Sequence, residues 1–170
     1  MTPSSDGVTD GRAGAADPRR YPSRVDERHS VELQREIRAP RERVWRLVAT
    51  AEGLSEWTDG AEFDPAVGGS VRLRFRDAVG VGRVLALDPP QHVSVSFDWE
   101  GDPLGRPTVL AFDAIDHGAA THLTLRHVGL PSRRQRDLHE AVWEWWFARL
   151  VSAATAAGSR EGEHAGATPG

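Results

Sequence analysis

The sequence lacks cysteine and lysine altogether and has no long apolar run among its 170 residues. Without cysteine, the chain forms no disulfides and offers no thiolate as a nucleophile or metal ligand. No stretch approaches the roughly 18 consecutive apolar residues that a membrane-spanning helix needs. A net charge of -4 gives no general attraction to nucleic acid or to anionic membranes. These absences predict a protein with no membrane span and no nucleic-acid partner.

The two ends of the chain contain little that could be buried. Residues 1–28 and 159–170 are mostly Gly, Ser, Pro, Asp, Glu and Arg, a composition typical of disordered tails. Between them, residues 29–158 are expected to form one domain with a substantial core. The N-terminus carries acids and glycines where a signal peptide needs a basic start and an apolar centre. The sequence therefore predicts a cytoplasmic protein.

A long amphipathic stretch near the C-terminus predicts a helix over residues 132–157. Ser132 and Gln135 form a capping box at its start, and Gly158 is placed to end it. Apolar residues recur along it at three- and four-residue steps: Leu138, Val142, Trp143, Trp146, Phe147, Leu150 and Ala154. This wide apolar face has to be covered by another part of the chain.

The middle of the chain alternates with a period of two and predicts an antiparallel sheet. The predicted strands are Val31–Ile37, Val71–Phe75, Val81–Leu87, Val93–Trp99, Thr108–Ile115 and Thr121–His127, with a hairpin turn at residues 116–118. Two short helices, Pro40–Ala49 and Ala51–Trp57, follow the first strand. The fold class is α+β, a curved antiparallel sheet wrapped around the long C-terminal helix. Because a bent sheet cannot close on a straight helix along its whole length, we expect an apolar cavity between them.

Several short motifs together resemble the SRPBCC (START/Bet v 1-like) superfamily, and within it the homologues of the activator of the heat-shock protein 90 ATPase. The matching segments are Arg38–Trp45, Ala51–Trp57, Gly68-Gly69, Gly82–Pro90 and Thr121–Leu130, followed by Trp143 and Leu150 in the last helix. The resemblance covers residues 30–157 and implies a helix-grip fold around a hydrophobic pocket. Relatives usually have Gly just before the helix tryptophan, where this chain has Val142, which implies a refilled or reshaped cavity.

Ten residues are candidates for contact with a ligand in that cavity. Large aromatic rings give rigid apolar area and stacking faces for a flat molecule; any one ring alone is more typical of a packed core, but seven of them exceed what one small core usually needs. Asp113 and His127 are polar candidates on strands, and Val142 follows from the resemblance. The full set is Trp57, Phe75, Trp99, Phe112, Asp113, His127, Val142, Trp143, Trp146 and Phe147.

Catalysis and metal binding have weaker support in the sequence. Asp98, Asp113 or His127 would move protons if their side chains faced an apolar cavity, where burial raises the pKa of a carboxyl group. No nucleophile and base stand at a readable spacing, so no catalytic residue is assigned. The histidine spacing forms no ligand set for a metal, and no cofactor motif is complete. The row Arg72, Arg74 and Arg76 is predicted to face solvent.

Three functions remain open at this point. The first is a binding module that sequesters an aromatic or polyketide-like small molecule, in natural-product biosynthesis or self-resistance. The second is a cyclase or aromatase acting through the acids and histidine named above. The third is a co-chaperone-like domain that stimulates an ATPase and therefore exposes an apolar patch. Whether the chain forms a homodimer is also left open by the sequence.

Overall fold

The computed structural model describes residues 27–164, and the surroundings of side chains as far as residue 156. Residues 1–26 and 165–170 of the two predicted tails lie outside these limits, and their disorder stays a prediction, whereas residues 159–164, predicted to be disordered, belong to the last helix. The elements in chain order are β1 Val31–Ile37, α1 Arg41–Ala49, α2 Ala51–Ser55, β2 Ala61–Phe63, β3 Ser70–Phe75, β4 Ala78–Asp88, β5 His92–Ser96, β6 Asp98–Trp99, β7 Val109–His117, β8 Ala120–Val128 and α3 Arg133–His164. No helix in the described part of the chain is long and apolar enough to cross a membrane.

The strands form one antiparallel sheet of eight strands, which confirms the predicted fold class. The order across the sheet is β1-β8-β7-β5-β4-β3-β2, and β6 pairs with β4 beside β5. Alternate residues of β1 are buried, as the period of two requires: Val31, Leu33 and Ile37 face the core. β1 joins the far edge by pairing with β8 along its whole length, from Val31 opposite His127 to Ile37 opposite Thr121.

The sheet bends where β4 changes partners. The first part of this 11-residue strand pairs with β3 and β6. The last part, from Val84 to Asp88, pairs with β5, and the register of this pairing shifts between Val84 and Ala86. Such an irregularity increases the local twist of a strand. Gly82 lies at the crossing, where a Cβ atom would overlap the carbonyl oxygen of Ser96. Only glycine allows the two strands to approach this closely.

Several elements differ from the sequence prediction; for example, β4 starts at Ala78 rather than Val81, and α2 ends at Ser55 rather than Trp57. β2 was not predicted, because three residues are too few to show alternation. The predicted strand Val93–Trp99 is interrupted at Phe97, so that β5 pairs with β7 while β6 pairs with β4. The predicted hairpin turn at 116–118 is shorter than expected, since β7 continues to His117 and pairs there with Ala120.

The last helix starts as predicted but ends later and presents a different face to the core. Ser132 Oγ accepts the N–H of Gln135 at 3.2 Å, which confirms half of the capping box. Gly158 lies inside α3 rather than ending it, because a helical glycine costs only about 1 kcal/mol relative to alanine. The buried residues of this helix form a narrow stripe: His139, Trp143, Trp146, Phe147, Leu150 and Ala154. Leu138 and Val142, predicted on the apolar face, are 51% and 38% exposed, because they fall outside this stripe.

The space between sheet and helix is filled by side chains in the described part of the chain. Trp57, Trp143 and Phe147 are among the largest fully buried side chains. A small apolar void elsewhere in the core, lined by aliphatic side chains such as Leu54 and Val95 and by the rings of Phe63 and Phe112, has a volume of about 10 Å³. That is room for at most one water molecule. Trp57, Trp143 and Phe147 therefore occupy part of the interior in which the architecture predicts an enclosed ligand cavity.

Candidate functional site

An open cleft lies between the β3–β4 hairpin and helix α3, and we call it the aromatic cleft. Its volume is about 380 Å³. The hairpin, strand β6 and helix α3 line it with seven residues: Phe75, Arg76, Ala78, Trp99, Val142, Trp145 and Trp146. Four of the seven are aromatic, one is charged, and the remaining two are aliphatic. The cleft thus offers a flat apolar surface with a single positive charge in its lining.

The floor of the cleft is a packed aromatic cluster centred on Phe75. Its ring makes edge-to-face contacts with Trp146 at 4.9 Å, with Trp143 at 5.6 Å and with Trp99 at 5.8 Å between centroids. Edge-to-face pairs at these distances add roughly 0.5–1.5 kcal/mol each beyond the burial of their area. Since each ring is held by several others, the floor is preformed and does not have to be ordered by a ligand.

The rim of the cleft is Trp145, which projects from α3 and is 43% exposed. Its ring meets Trp146 edge-on at 4.7 Å. Two guanidinium groups approach the Trp145 ring, that of Arg76 at 4.8 Å and that of Arg149 at 5.1 Å from the centroid. These cation–π contacts hold the ring in place while 43% of the residue stays exposed. Trp145 is therefore available to a molecule that enters the cleft.

Trp99 is fixed at the side of the cleft by His139 of α3. The indole Nε1–H donates to His139 Nε2 at 2.9 Å, and His139 Nδ1–H donates to the carbonyl oxygen of Gln135 at 2.7 Å. Because Nε2 must accept and Nδ1 must donate, the ring is the neutral Nδ1–H tautomer. Burial lowers the pKa of His139, which agrees with a neutral ring. The side wall thus depends on an uncharged histidine.

A second buried histidine, His127, supports the floor from behind. Trp143 Nε1–H donates to His127 Nδ1 at 3.1 Å, and His127 Nε2–H donates to Thr108 Oγ1 at 3.0 Å. The Thr108 hydroxyl in turn donates to the carbonyl oxygen of Phe97. Burial, and the nearby His139, lower the pKa of His127 to about 3. With both ring nitrogens satisfied and no charge at neutral pH, His127 orients Trp143 and has no proton to exchange there.

The ten predicted contact residues fall into three groups in the structure. Phe75, Trp99, Val142 and Trp146 line the aromatic cleft. Trp143 and His127 lie directly behind its floor. The others are elsewhere: Trp57, Phe112 and Phe147 are buried in the core, and Asp113 lies on the opposite face of the sheet. In its core position, the indole of Trp57 donates to the carbonyl oxygen of Leu47 at 2.7 Å.

The carboxylates considered for proton transfer do not reach the cleft. Asp113 Oδ1 lies 2.8 Å from His92 Nδ1, in a surface depression on the outer side of the sheet. Asp98 Oδ1 accepts the backbone N–H groups of Trp99 and Leu104, so it fixes the loop that follows β6. The aromatic cleft therefore contains none of the proposed acid–base groups. No group of three or more metal-ligating side chains occurs in the described part of the chain.

Three residues of the cleft, Arg76, Ala78 and Trp145, were missed by the sequence analysis. Trp145 was not chosen because it lies off the buried stripe of α3, and only a search for exposed aromatic residues would have found it. Arg76 was placed in a solvated row with Arg72 and Arg74 on strand β3. It instead occupies the turn after β3 and has a positive φ of 52°. The sequence does not predict this conformation, because glycine or asparagine usually occupies a turn position with positive φ and this chain has arginine.

Comparison with known proteins places the chain in a family. Residues 38–155 match the sequence model described as Activator of Hsp90 ATPase homolog 1-like protein, which is more than half of the chain. No curated protein matches this sequence.

Solved structures share the fold. Protein MLL2253 from Mesorhizobium loti is 26% identical over 73% of this chain and 95% of its own, with a TM-score of 0.65. DynU16, a putative protein in the dynemicin biosynthetic locus, is 20% identical over 73% of this chain and 46% of its own, also with a TM-score of 0.65. PFC0360w, an HSP90 activator from Plasmodium falciparum, is 22% identical over 61% of this chain and 74% of its own, with a TM-score of 0.54.

Proposed function

We propose that this chain, which belongs to the Activator of Hsp90 ATPase homolog 1-like protein family, is a cytoplasmic binding module for a flat aromatic small molecule, bound in the aromatic cleft. The observation that carries the proposal is the exposed Trp145 ring above a preformed floor of aromatic side chains. The site is an open cleft at one end of the sheet–helix junction, rather than an enclosed cavity.

The dimensions of the cleft support this ligand class. A volume of about 380 Å³ lies within the range of roughly 300–1,000 Å³ that small-molecule sites occupy. A planar ligand that removes about 100 Å² of apolar protein surface from water would gain about 2.5 kcal/mol from that burial alone. Offset or edge-on stacking on Trp145 and Trp146 adds to this, and the floor has little conformational entropy left to lose.

The biological role that we propose is sequestration of a natural product, in its biosynthesis or in self-resistance. The support is the DynU16 likeness, because that protein is described as belonging to the dynemicin biosynthetic locus. A binder without acid–base groups in its cleft would hold such a molecule without altering it. Polyketide-derived aromatic ring systems have the flat apolar faces that the aromatic cleft accommodates.

The test is a binding titration with a panel of polycyclic aromatic compounds, followed by tryptophan fluorescence. Trp145→Ala removes the rim and should weaken binding at least tenfold, because one stacked aromatic contact contributes about 1.5 kcal/mol. Ile115→Ala is the matched control, since Ile115 is 54% exposed on the outer face of the sheet, away from the cleft. Unchanged affinity in Trp145→Ala, or equal losses in both variants, would remove the cleft as the site.

A second candidate is a protein partner that docks on α3. Leu138, Val142 and Trp145 form an exposed apolar stripe on this helix, the kind of patch that the co-chaperone hypothesis requires. PFC0360w, which shares the fold, is described as an HSP90 activator. The discriminating measurement is the ATPase rate of an Hsp90-type chaperone with and without this protein. Stimulation that is lost in Leu138→Ala, together with no small-molecule binding, would favour this second function.

A further inference from the structure

We propose that the ligand of the aromatic cleft carries an anionic group, a carboxylate or similar oxyanion attached to its ring system, and that Arg76 binds that group. This inference rests on the proposed function and names the chemistry of its ligand. The aromatic rings would hold the flat part of the molecule, and the Arg76 guanidinium would select molecules that are negatively charged at the mouth of the cleft.

The backbone at Arg76 is the first observation behind this proposal. Arg76 and Asp77 form the two-residue turn between β3 and β4, and Arg76 is the one non-glycine residue with a positive φ in the described part of the chain. A glycine would adopt this conformation without the steric cost that a Cβ atom imposes. The backbone N–H of Arg76 donates to Asp59 Oδ2 at 2.7 Å and so fixes the strained turn. Strain that is retained at a cleft points to a role for the side chain it positions.

The charge state of the cleft is the second observation. Several arginines of the sheet have an acidic partner: Arg72 forms a double hydrogen bond with Glu100 at 2.7 and 2.8 Å, and Arg126 pairs with Glu32. Arg76 has no carboxylate within ion-pairing distance among residues 27–156, although Asp77 is its neighbour in the turn. The lining of the cleft holds no acidic residue.

Arg149 adds a second positive charge close to Trp145. Its guanidinium lies 5.1 Å from the ring centroids of both Trp145 and Trp146, and its Nε–H donates to the carbonyl oxygen of Trp57 at 3.2 Å. Arg149 forms no ion pair within the described chain either. Two cations therefore lie near the exposed ring, at 4.8 and 5.1 Å from its centroid, and no acidic residue lines the cleft, which makes the rim complementary to a negatively charged ligand.

The geometry of Arg76 suits a carboxylate in particular. A guanidinium whose face rests on an aromatic ring still has N–H groups along its edge, and these can form two parallel hydrogen bonds to a carboxylate. The ring also shields one face of the cation from water, which strengthens its attraction for an anion. A flat molecule in the cleft would thus place an attached carboxylate against the edge of Arg76.

The test compares two probes that differ only in charge, 2-anthroate and 2-(hydroxymethyl)anthracene, in fluorescence titrations of the full chain. We expect wild type to bind the carboxylate roughly fivefold more tightly, the upper end of what one exposed ion pair contributes, and this preference to shrink as salt is raised. Arg76→Gly should abolish the preference, so that the two probes bind with equal affinity, whatever loss both suffer from the missing contact with Trp145. It should also raise the urea midpoint, because glycine relieves the strained turn.

Arg74→Gln is the matched control, because Arg74 is an exposed arginine of the adjoining strand that does not line the cleft. Retention of the preference in this variant and its loss in Arg76→Gly support the inference. Equal binding of both probes by wild type, or equal losses in the two variants, overturns the inference and leaves the aromatic binding function standing. Binding of neither probe contradicts the proposed function itself.

Discussion

The buried histidine behind the cleft predicts how the stability of the protein depends on pH. Burial lowers the pKa of His127 from 6.5 to about 3, so the folded state holds this ring neutral where the unfolded chain protonates it. Stability from this group is fully present above pH 6.5 and is lost progressively as pH falls toward 3. Each pH unit in this window costs about 1.4 kcal/mol, so lowering the pH from 7 to 5 should cost about 2 kcal/mol from His127 alone.

The assay is urea unfolding at a series of pH values between 7 and 5, followed by circular dichroism. Burial also lowers the pKa of His139, so its contribution has the same sign and steepens the slope. The carboxyl groups with lowered pKa, such as Glu32, titrate below this pH range. The change in the free energy of unfolding between pH 7 and 5 is therefore attributed to the histidines. His127→Gln keeps an acceptor for Trp143 and a donor for Thr108 but does not titrate, so it should remove about 2 kcal/mol from the pH dependence.

His117→Gln is the control for this experiment, because His117 is exposed at the end of β7 and lies outside the buried network. It should leave the wild-type slope as it is. A wild-type free energy of unfolding that changes by less than about 0.5 kcal/mol between pH 7 and 5 would refute the reasoning, since a neutral buried histidine requires a larger change. An unaltered slope in His127→Gln would show that other groups cause the dependence.

Two further substitutions test the packing around the aromatic floor, with the free energy of unfolding in urea as the readout. Gly80→Ala should cost about 2 kcal/mol, because its Cβ would lie 2.5 Å from the buried Phe97 ring; Gly101→Ala, with open space around it, should cost only the strain of its positive φ, about 1 kcal/mol. Equal losses would contradict the close packing at Gly80. Trp143→Phe should cost about 2 kcal/mol, because it leaves His127 Nδ1 buried without a donor. A loss below about 0.5 kcal/mol would mean that this hydrogen bond contributes little.

The fold was predictable because its signals are local and periodic. Alternation in Val31–Ile37 and in the later strands gave the sheet, and the capping residue Ser132 gave the start of the last helix. What the pattern could not give was the rotation of that helix. Three- and four-residue spacing is shared by neighbouring stripes of a helix, so Leu138 and Val142 were placed on the buried side.

The candidate site was only partly predictable for the same reason. The sequence directs attention to the aromatic residues, but their number alone does not distinguish a lined cavity from a filled one. In the structure Trp57, Trp143 and Phe147 are buried in the interior. The aromatic cleft lies instead between the β3–β4 hairpin and helix α3, where Trp99 and Trp145 line it. Whether rings enclose a space depends on packing distances of a few tenths of an ångström, which residue types do not specify.

Asp113 shows a related limit of strand patterns. The period of two puts Asp113 on one face of its strand with Val109, Ala111 and Ile115, and the register of β7 agrees with that grouping. The pattern does not say which face of the sheet meets the helix, and the core lies on the other side, with Leu110 and Phe112. Asp113 consequently pairs with His92 on the outer face.

The measurement that tests the central claim most directly is a two-dimensional ¹⁵N–¹H spectrum of the six tryptophan indoles during a titration with 2-anthroate. The account predicts that the signals of Trp99 and Trp145 shift with saturating ligand. The signals of Trp57 and Trp143, whose indole N–H groups donate to Leu47 and His127 in the interior, should stay in place. Shifts at Trp57 or Trp143 in the absence of shifts at Trp145 would contradict the account, because the ligand would then enter the core rather than the aromatic cleft.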